Sequence, residues 1–75
     1  MTPYKDVTGE SGVDSYEIHE RSILVRFKQN PSIYEYSYEK PGKKNVEEMK
    51  RLAKSGRNLA TYISQVVKGR YSRKL

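Results

Sequence analysis

Three short stretches of this chain alternate apolar and polar side chains with a period of two, and all three can turn the same stripe toward one surface. Tyr16 and Ile18 share a face of Ser15–His19, and Ile23, Val25 and Phe27 share a face of Ile23–Lys28. Tyr34, Tyr36 and Tyr38 form the stripe of Ile33–Tyr38. β-Branched and aromatic residues at that period mark half-buried strands, because successive side chains point to opposite faces. A first hairpin centred on Glu20-Arg21 sets Ile18 opposite Ile23 and Tyr16 opposite Val25. A second, centred on Asn30-Pro31, sets Phe27 opposite Tyr34, Val25 opposite Tyr36 and Ile23 opposite Tyr38. On the other face it sets Arg26 against Glu35. Pro31 cannot take the positive φ of a type I′ turn, which favours a four-residue loop there. Both pairings keep the apolar stripes on one side, which a slip of one residue would not do.

Beyond residue 40 the period changes. Lys40-Pro41-Gly42-Lys43 suits a type II turn. Asn45 is placed to cap a helix, with Glu48 completing a capping box and Val46, Met49, Leu52 and Ala53 forming the apolar stripe. Gly56 is expected to end that helix in a left-handed cap. Asn58 then opens a second helix with Leu59, Tyr62, Ile63, Val66 and Val67 on its apolar side, and Gly69 ends it before a basic tail, Arg70–Leu75. Residues 1–12 carry Gly9, Ser11 and Gly12 with little periodicity and read as a flexible, dispensable N-terminal tail, with Tyr4 and Val7 its apolar exceptions. Residues 13–75 read as a single α+β domain. The expected order is β-β-β-α-α, a three-stranded antiparallel β-meander packed against two C-terminal helices.

Composition narrows the chemistry. At 75 residues the chain closes one modest core, which leaves little room for a deep catalytic cleft. Without Cys there is no disulfide, thiolate metal site or thiol nucleophile, and His19 is the single histidine. His19 lies in a turn among Glu17, Glu20 and Arg21, with no nucleophile arranged around it, and reads as a surface residue. Asp6, Glu10, Asp14, Glu17 and Glu20 are spread over tail and turn without metal-ligand spacing. No catalytic residue, metal or cofactor is expected. No apolar run approaches a membrane span and no signal-peptide core follows Met1, so a cytoplasmic protein is expected.

Charge is distributed unevenly. Net charge is +6, yet residues 1–39 hold four basic and seven acidic side chains, whereas residues 40–75 hold eleven and two. A one-signed half of this kind attracts polyanions. Glu47 and Glu48 can pair with Lys50 and Arg51 along the first helix, which makes part of the patch ordinary helix decoration. The candidate phosphate contacts are Lys43, Lys44, Lys54, Arg57, Arg70, Arg73 and Lys74. The tyrosine stripe is a candidate stacking platform, but it shares its face with Ile23, Val25 and Phe27. Most of it is therefore expected in the core, with Tyr38 at the sheet edge the exposed ring. Gly56 after Lys54-Ser55 lacks the repeated glycines of a phosphate-binding loop.

Several short motifs, taken in order, resemble the KTSC domain, a small family named for a segment at the C-terminus of some lysyl-tRNA synthetases. They are Leu24–Phe27, Tyr34-Glu35-Tyr36, Pro41, Ala53-Lys54-Ser55-Gly56, Leu59, Ile63 and Tyr71, spanning about residues 14–75. The Ser–Gly step is one residue shorter than the family pattern, Ala60 and Ser64 stand where polar or basic residues are common, and about three extra residues precede Tyr71. The resemblance implies the small α+β fold and, for function, nucleic-acid binding, especially of RNA.

Together these features lead us to expect a non-enzymatic, basic nucleic-acid-binding module that prefers RNA or single strands. The alternative is a phage-encoded or accessory protein-interaction module that inhibits or adapts a host nucleoprotein complex, an anti-CRISPR-type inhibitor being one instance. Its partner would be acidic or itself a nucleoprotein.

Overall fold

In the computed structural model, which describes residues 1–9 and 11–75, the alternating stretches form the centre of a five-stranded antiparallel sheet. Glu10, one of the carboxylates noted above, lies outside the described residues. The elements are β1 (Thr2–Pro3), β2 (Val13–Ile18), β3 (Ser22–Phe27), β4 (Asn30–Ser37), α1 (Lys43–Ser55), α2 (Leu59–Tyr62) and β5 (Arg73–Lys74). A π-helical segment, Ile63–Val67, continues directly from α2. The sheet runs in chain order from β1 to β5. The fold is thus α+β, with two more strands than the expected meander.

The first hairpin has the expected register: Ile18 pairs with Ile23 and Tyr16 with Val25. A bulge at Asp14 then carries Val13 opposite Phe27, which puts Val13 on the inner face, fully buried. The second hairpin differs from expectation by two residues. Its turn falls on Lys28-Gln29, so Val25 pairs with Tyr34, Ile23 with Tyr36, and Leu24, not Arg26, with Glu35. Asn30 causes the difference. Its side chain accepts the Ser32 N–H at 3.0 Å, so Pro31 and Ser32 bulge out between the Phe27–Asn30 and Arg26–Ile33 pairs. Pro31 sits where no ladder donor is needed. A two-residue shift preserves parity, and Ile23, Val25 and Tyr36 still share the buried face.

On that face lie Val46, Met49, Leu52 and Ala53 of α1, all buried as their spacing requires. The start of α1 departs from expectation. Gly42, at φ 116° and ψ 157°, occupies the N-cap, so the helix begins at Lys43. Asn45 instead donates to the Pro41 carbonyl at 3.3 Å and accepts the Tyr62 hydroxyl at 2.8 Å, tying α1 to α2, while Glu48 pairs with Arg51. The second helix lasts a single α turn before widening. The Lys68 N–H reaches back five residues to the Ile63 carbonyl, and the wider turn carries Val67 inward while leaving Val66 exposed.

The N-terminal segment is also more than a tail. β1 pairs along β2, Tyr4 is 7% exposed within the core, and its hydroxyl accepts the Leu59 N–H at 3.3 Å. Val7 donates its N–H to the Gly56 carbonyl at 2.9 Å. Gly56 ends α1 at φ 74° and ψ 17°, the expected left-handed cap, and the structure adds a second reason for glycine. A Cβ there would lie 2.6 Å from the Cβ of Lys5. The C-terminal basic tail is likewise a strand: Glu35 pairs with Arg73 and Tyr34 with Lys74.

Substitutions at two positions test these contacts. Tyr4→Ala should cost about 3 kcal/mol in urea unfolding, as truncation of a buried aromatic does, while Tyr4→Phe should cost only about 1 kcal/mol. Gly56→Ala should destabilise by about 2 kcal/mol, combining left-handed strain with the clash against Lys5. Unchanged unfolding midpoints for Tyr4→Ala would make residues 1–12 the dispensable tail after all.

Candidate nucleic-acid interface

The inner-face stripe of β4 ends at Tyr38, one residue beyond the strand, where α1 has just begun. The Tyr38 N–H bonds the Arg21 carbonyl at 3.0 Å, which fixes the residue against the β2–β3 turn. Its hydroxyl donates to Glu47 Oε2 at 2.6 Å. The same oxygen accepts from Lys50 Nζ at 2.9 Å, and Lys50 Nζ also donates to the Glu20 carbonyl at 2.9 Å. Lys43, Glu47 and Lys50 follow i, i+4, i+7 spacing and therefore lie on one face of α1. The ring has two ammonium groups beside it, with Lys50 Nζ 5.5 Å and Lys43 Nζ 5.7 Å from its centroid.

The two lysines are not equivalent. Lys50 is 9% exposed and held by a carboxylate and a carbonyl, so it is structural. Lys43 is exposed and forms no salt bridge among the described residues. Arg21, also exposed, lies close enough for its charge to favour the ionised phenol. Arg21, Ser37, Tyr38 and Glu39 line a shallow depression of about 210 Å³ beside the ring.

The hydrogen bond to Glu47 dominates the titration of this cluster. It raises the Tyr38 phenol above the ordinary tyrosine value, with burial adding to the effect. The bond from Tyr38, followed by that from Lys50, holds the Glu47 carboxyl below its ordinary value. A depressed carboxyl contributes stability above its unfolded pKa, and that contribution disappears as pH falls through the folded value.

The other expected contacts are dispersed. Lys44 is exposed beside Lys43. Lys74 Nζ sits 5.7 Å from the centroid of Tyr34, which lies four residues before Tyr38 on the same sheet face, about 13 Å along the strand. Tyr34 packs edge-on against Phe27 and Tyr71, with centroids 5.6 and 4.8 Å away, so it is not an open platform. Tyr36 is in the core, and burial pushes its phenol up to about 12. Arg73 is paired with Glu35 at 2.8 Å, and Arg70 caps the π-helical segment through the Val66 and Val67 carbonyls. Lys54 and Arg57 are exposed at the far end of α1, about 16 Å along its axis from Lys43. Arg21 and Lys50 were not among the expected contacts. The i+7 spacing of Lys50 from Lys43 was visible in the sequence, but the proximity of Arg21 needed the hairpin to be placed beside α1.

The described residues contain no group of three or more His, Cys, Asp or Glu side chains that could hold a metal. Among the described residues no helix is long and apolar enough to cross a membrane. In an alkaline titration followed by NMR, Tyr36 should ionise near pH 12. Tyr38 should ionise above the ordinary tyrosine value, and Glu47→Gln should lower its pKa without moving that of Tyr36. An unchanged Tyr38 titration would rule out the Glu47 contact in solution.

No family model matches this chain, nor does any curated protein or solved structure.

Proposed function

We propose that this chain is a non-enzymatic module that binds single-stranded nucleic acid, taking a base at Tyr38 and the adjoining phosphates at Lys43, Lys44 and Arg21. Lys74, beside Tyr34, extends the basic track along β4. The observation that carries this reading is the Tyr38 ring, half-exposed, pinned through its hydroxyl to Glu47 and accompanied by an ammonium without a carboxylate partner among the described residues. An exposed cation–π contact is worth about 0.5–1 kcal/mol, whereas stacking a base on an aromatic ring contributes about 1–3 kcal/mol. A base can therefore displace Lys43 from the ring and leave its ammonium for a phosphate. Lys50, with two hydrogen bonds of its own, stays and keeps the ring in place. The KTSC-like order of motifs makes RNA the first ligand to test.

The test is a titration of labelled single-stranded RNA, single-stranded DNA and duplex DNA at several salt concentrations. Tyr38→Ala should weaken single-strand binding by about tenfold and duplex binding much less. Replacing Lys43, Lys44 and Lys74 together by Ala should flatten the single-strand salt slope by about 2 units, at roughly 0.7 per lost phosphate contact. No binding to any of the three at about 50 mM salt and 100 µM protein would overturn the proposal, since even non-specific sites reach dissociation constants of about 10⁻⁴–10⁻⁶ M at physiological salt. A protein partner for the basic surface would then be the remaining reading.

A further inference from the structure

Both helical segments pack on the inner face of the sheet, and among the described residues no helix covers the outer face, on which Ser15 and Ser22 are nonetheless buried. Strand register lays out that outer face in rows, because directly paired residues point the same way. One row crosses the sheet as Glu17, Leu24 and Glu35. The next, two residues along the strands and about 7 Å away, contains Arg26 and Ile33, with Leu75 beside Ile33 through hydrogen bonds of 2.7 and 3.4 Å. The middle of the face is thus two half-buried aliphatic side chains, Leu24 and Ile33, with charges around them.

Those charges are arranged to complement themselves. Arg26 is exposed and forms no salt bridge among the described residues. Among the described residues Glu17 meets only the His19 ring, at 2.7 Å, whereas Glu35 is already engaged by Arg73. Consider a two-fold axis lying in the plane of the face, across the strands and between the two rows. It carries the Arg26 row of one copy over the Glu17 row of the other. Each Arg26 then lies above Leu24 of its partner copy, its aliphatic stem on the leucine and its guanidinium beside the partner copy's Glu17. A rotation about an axis parallel to the strands would instead set Glu17 over Glu35, carboxylate against carboxylate.

We propose that the outer sheet face is the interface of a homodimer, joined by reciprocal Arg26–Glu17 ion pairs over a Leu24–Ile33 centre. Sheets packed face to face lie about 10 Å apart, close enough for these side chains to interdigitate. Five strands and two to three rows present about 350–500 Å² per copy, or about 700–1,000 Å² in total, at or below the lower bound for a specific interface. The dimer is therefore weak, with a dissociation constant on the order of 10–100 µM, and leaves Tyr38, on the inner-face side of each sheet, uncovered.

Sedimentation velocity on the full chain, from about 5 to 500 µM, should show a concentration-dependent shift from monomer to dimer. Leu24→Lys should abolish the shift. Arg26→Glu and Glu17→Arg should each weaken dimerisation by about tenfold or more through like-charge contact, and Arg26→Glu/Glu17→Arg should restore it to within about threefold. Thermal unfolding followed by circular dichroism ensures that each variant compared is folded, and the exposed position of Arg26 makes its variant the one least disturbed. A single monomeric species throughout the range would overturn the proposal. So would dimerisation unaffected by Leu24→Lys and Arg26→Glu, or a double charge reversal that fails to restore it.

Discussion

The structure depends on the parity of its strand pairing. Ile23, Val25 and Tyr36 make one apolar surface only because β2, β3 and β4 are aligned so that their stripes fall on the same side. That surface supplies the floor on which α1 and the π-helical segment lie, and so it determines the placing of every residue at the Tyr38 end. A one-residue slip of β4 would turn Tyr36 to water and Glu35 toward the helices, and a slip of β3 would do the same with Val25 and Arg26, leaving a charge with no partner in a core too small to absorb it. A two-residue slip is harmless, and the Asn30 turn makes just such a shift.

This explains which features could be read from the sequence. Parity is a local property of alternating residues, so the three central strands, the inner face and the first-hairpin register were all legible. So was the left-handed end of α1, since Gly56 follows a stripe that stops. The precise register of the second hairpin depended on a side chain accepting a backbone N–H, and a choice between two polar turns leaves no periodic trace. β1 and β5 are two residues each, too short for any alternation. Their existence rests on Tyr4 reaching the core and on Glu35 engaging Arg73, contacts between parts of the chain with unrelated local patterns. The π-helical segment was hidden because Leu59, Ile63 and Val67 recur at a spacing that an ordinary helix also accepts.

The candidate interface divides in a similar way. The sequence shows where basic residues are abundant but not which of them are already occupied. Arg73 and Arg70 are drawn into the fold by Glu35 and by helix-end carbonyls, while Lys43, Lys44 and Lys74 keep exposed ammonium groups. Tyr38 differs from Tyr34 and Tyr36 through its position: it lies past the end of the strand, half-exposed at the margin of the core, and is oriented by a carboxylate one turn into α1. The basic half of the chain is thus a set of separate local environments.

Tyr4 has a consequence for the time course of folding. Its hydroxyl meets the Leu59 N–H across 55 residues, and the intervening chain includes every strand of the central sheet. During synthesis from the N-terminus, Tyr4 leaves the ribosome while its partner, 55 residues later, is still untranslated. The central hairpins can form in the meantime from near neighbours, but the core keeps an open seam until α2 arrives. Such long-range closure carries a loop-entropy cost that must be met before the contact repays it, which slows the last step and leaves the inner face of the sheet exposed to other apolar surfaces while the seam is open.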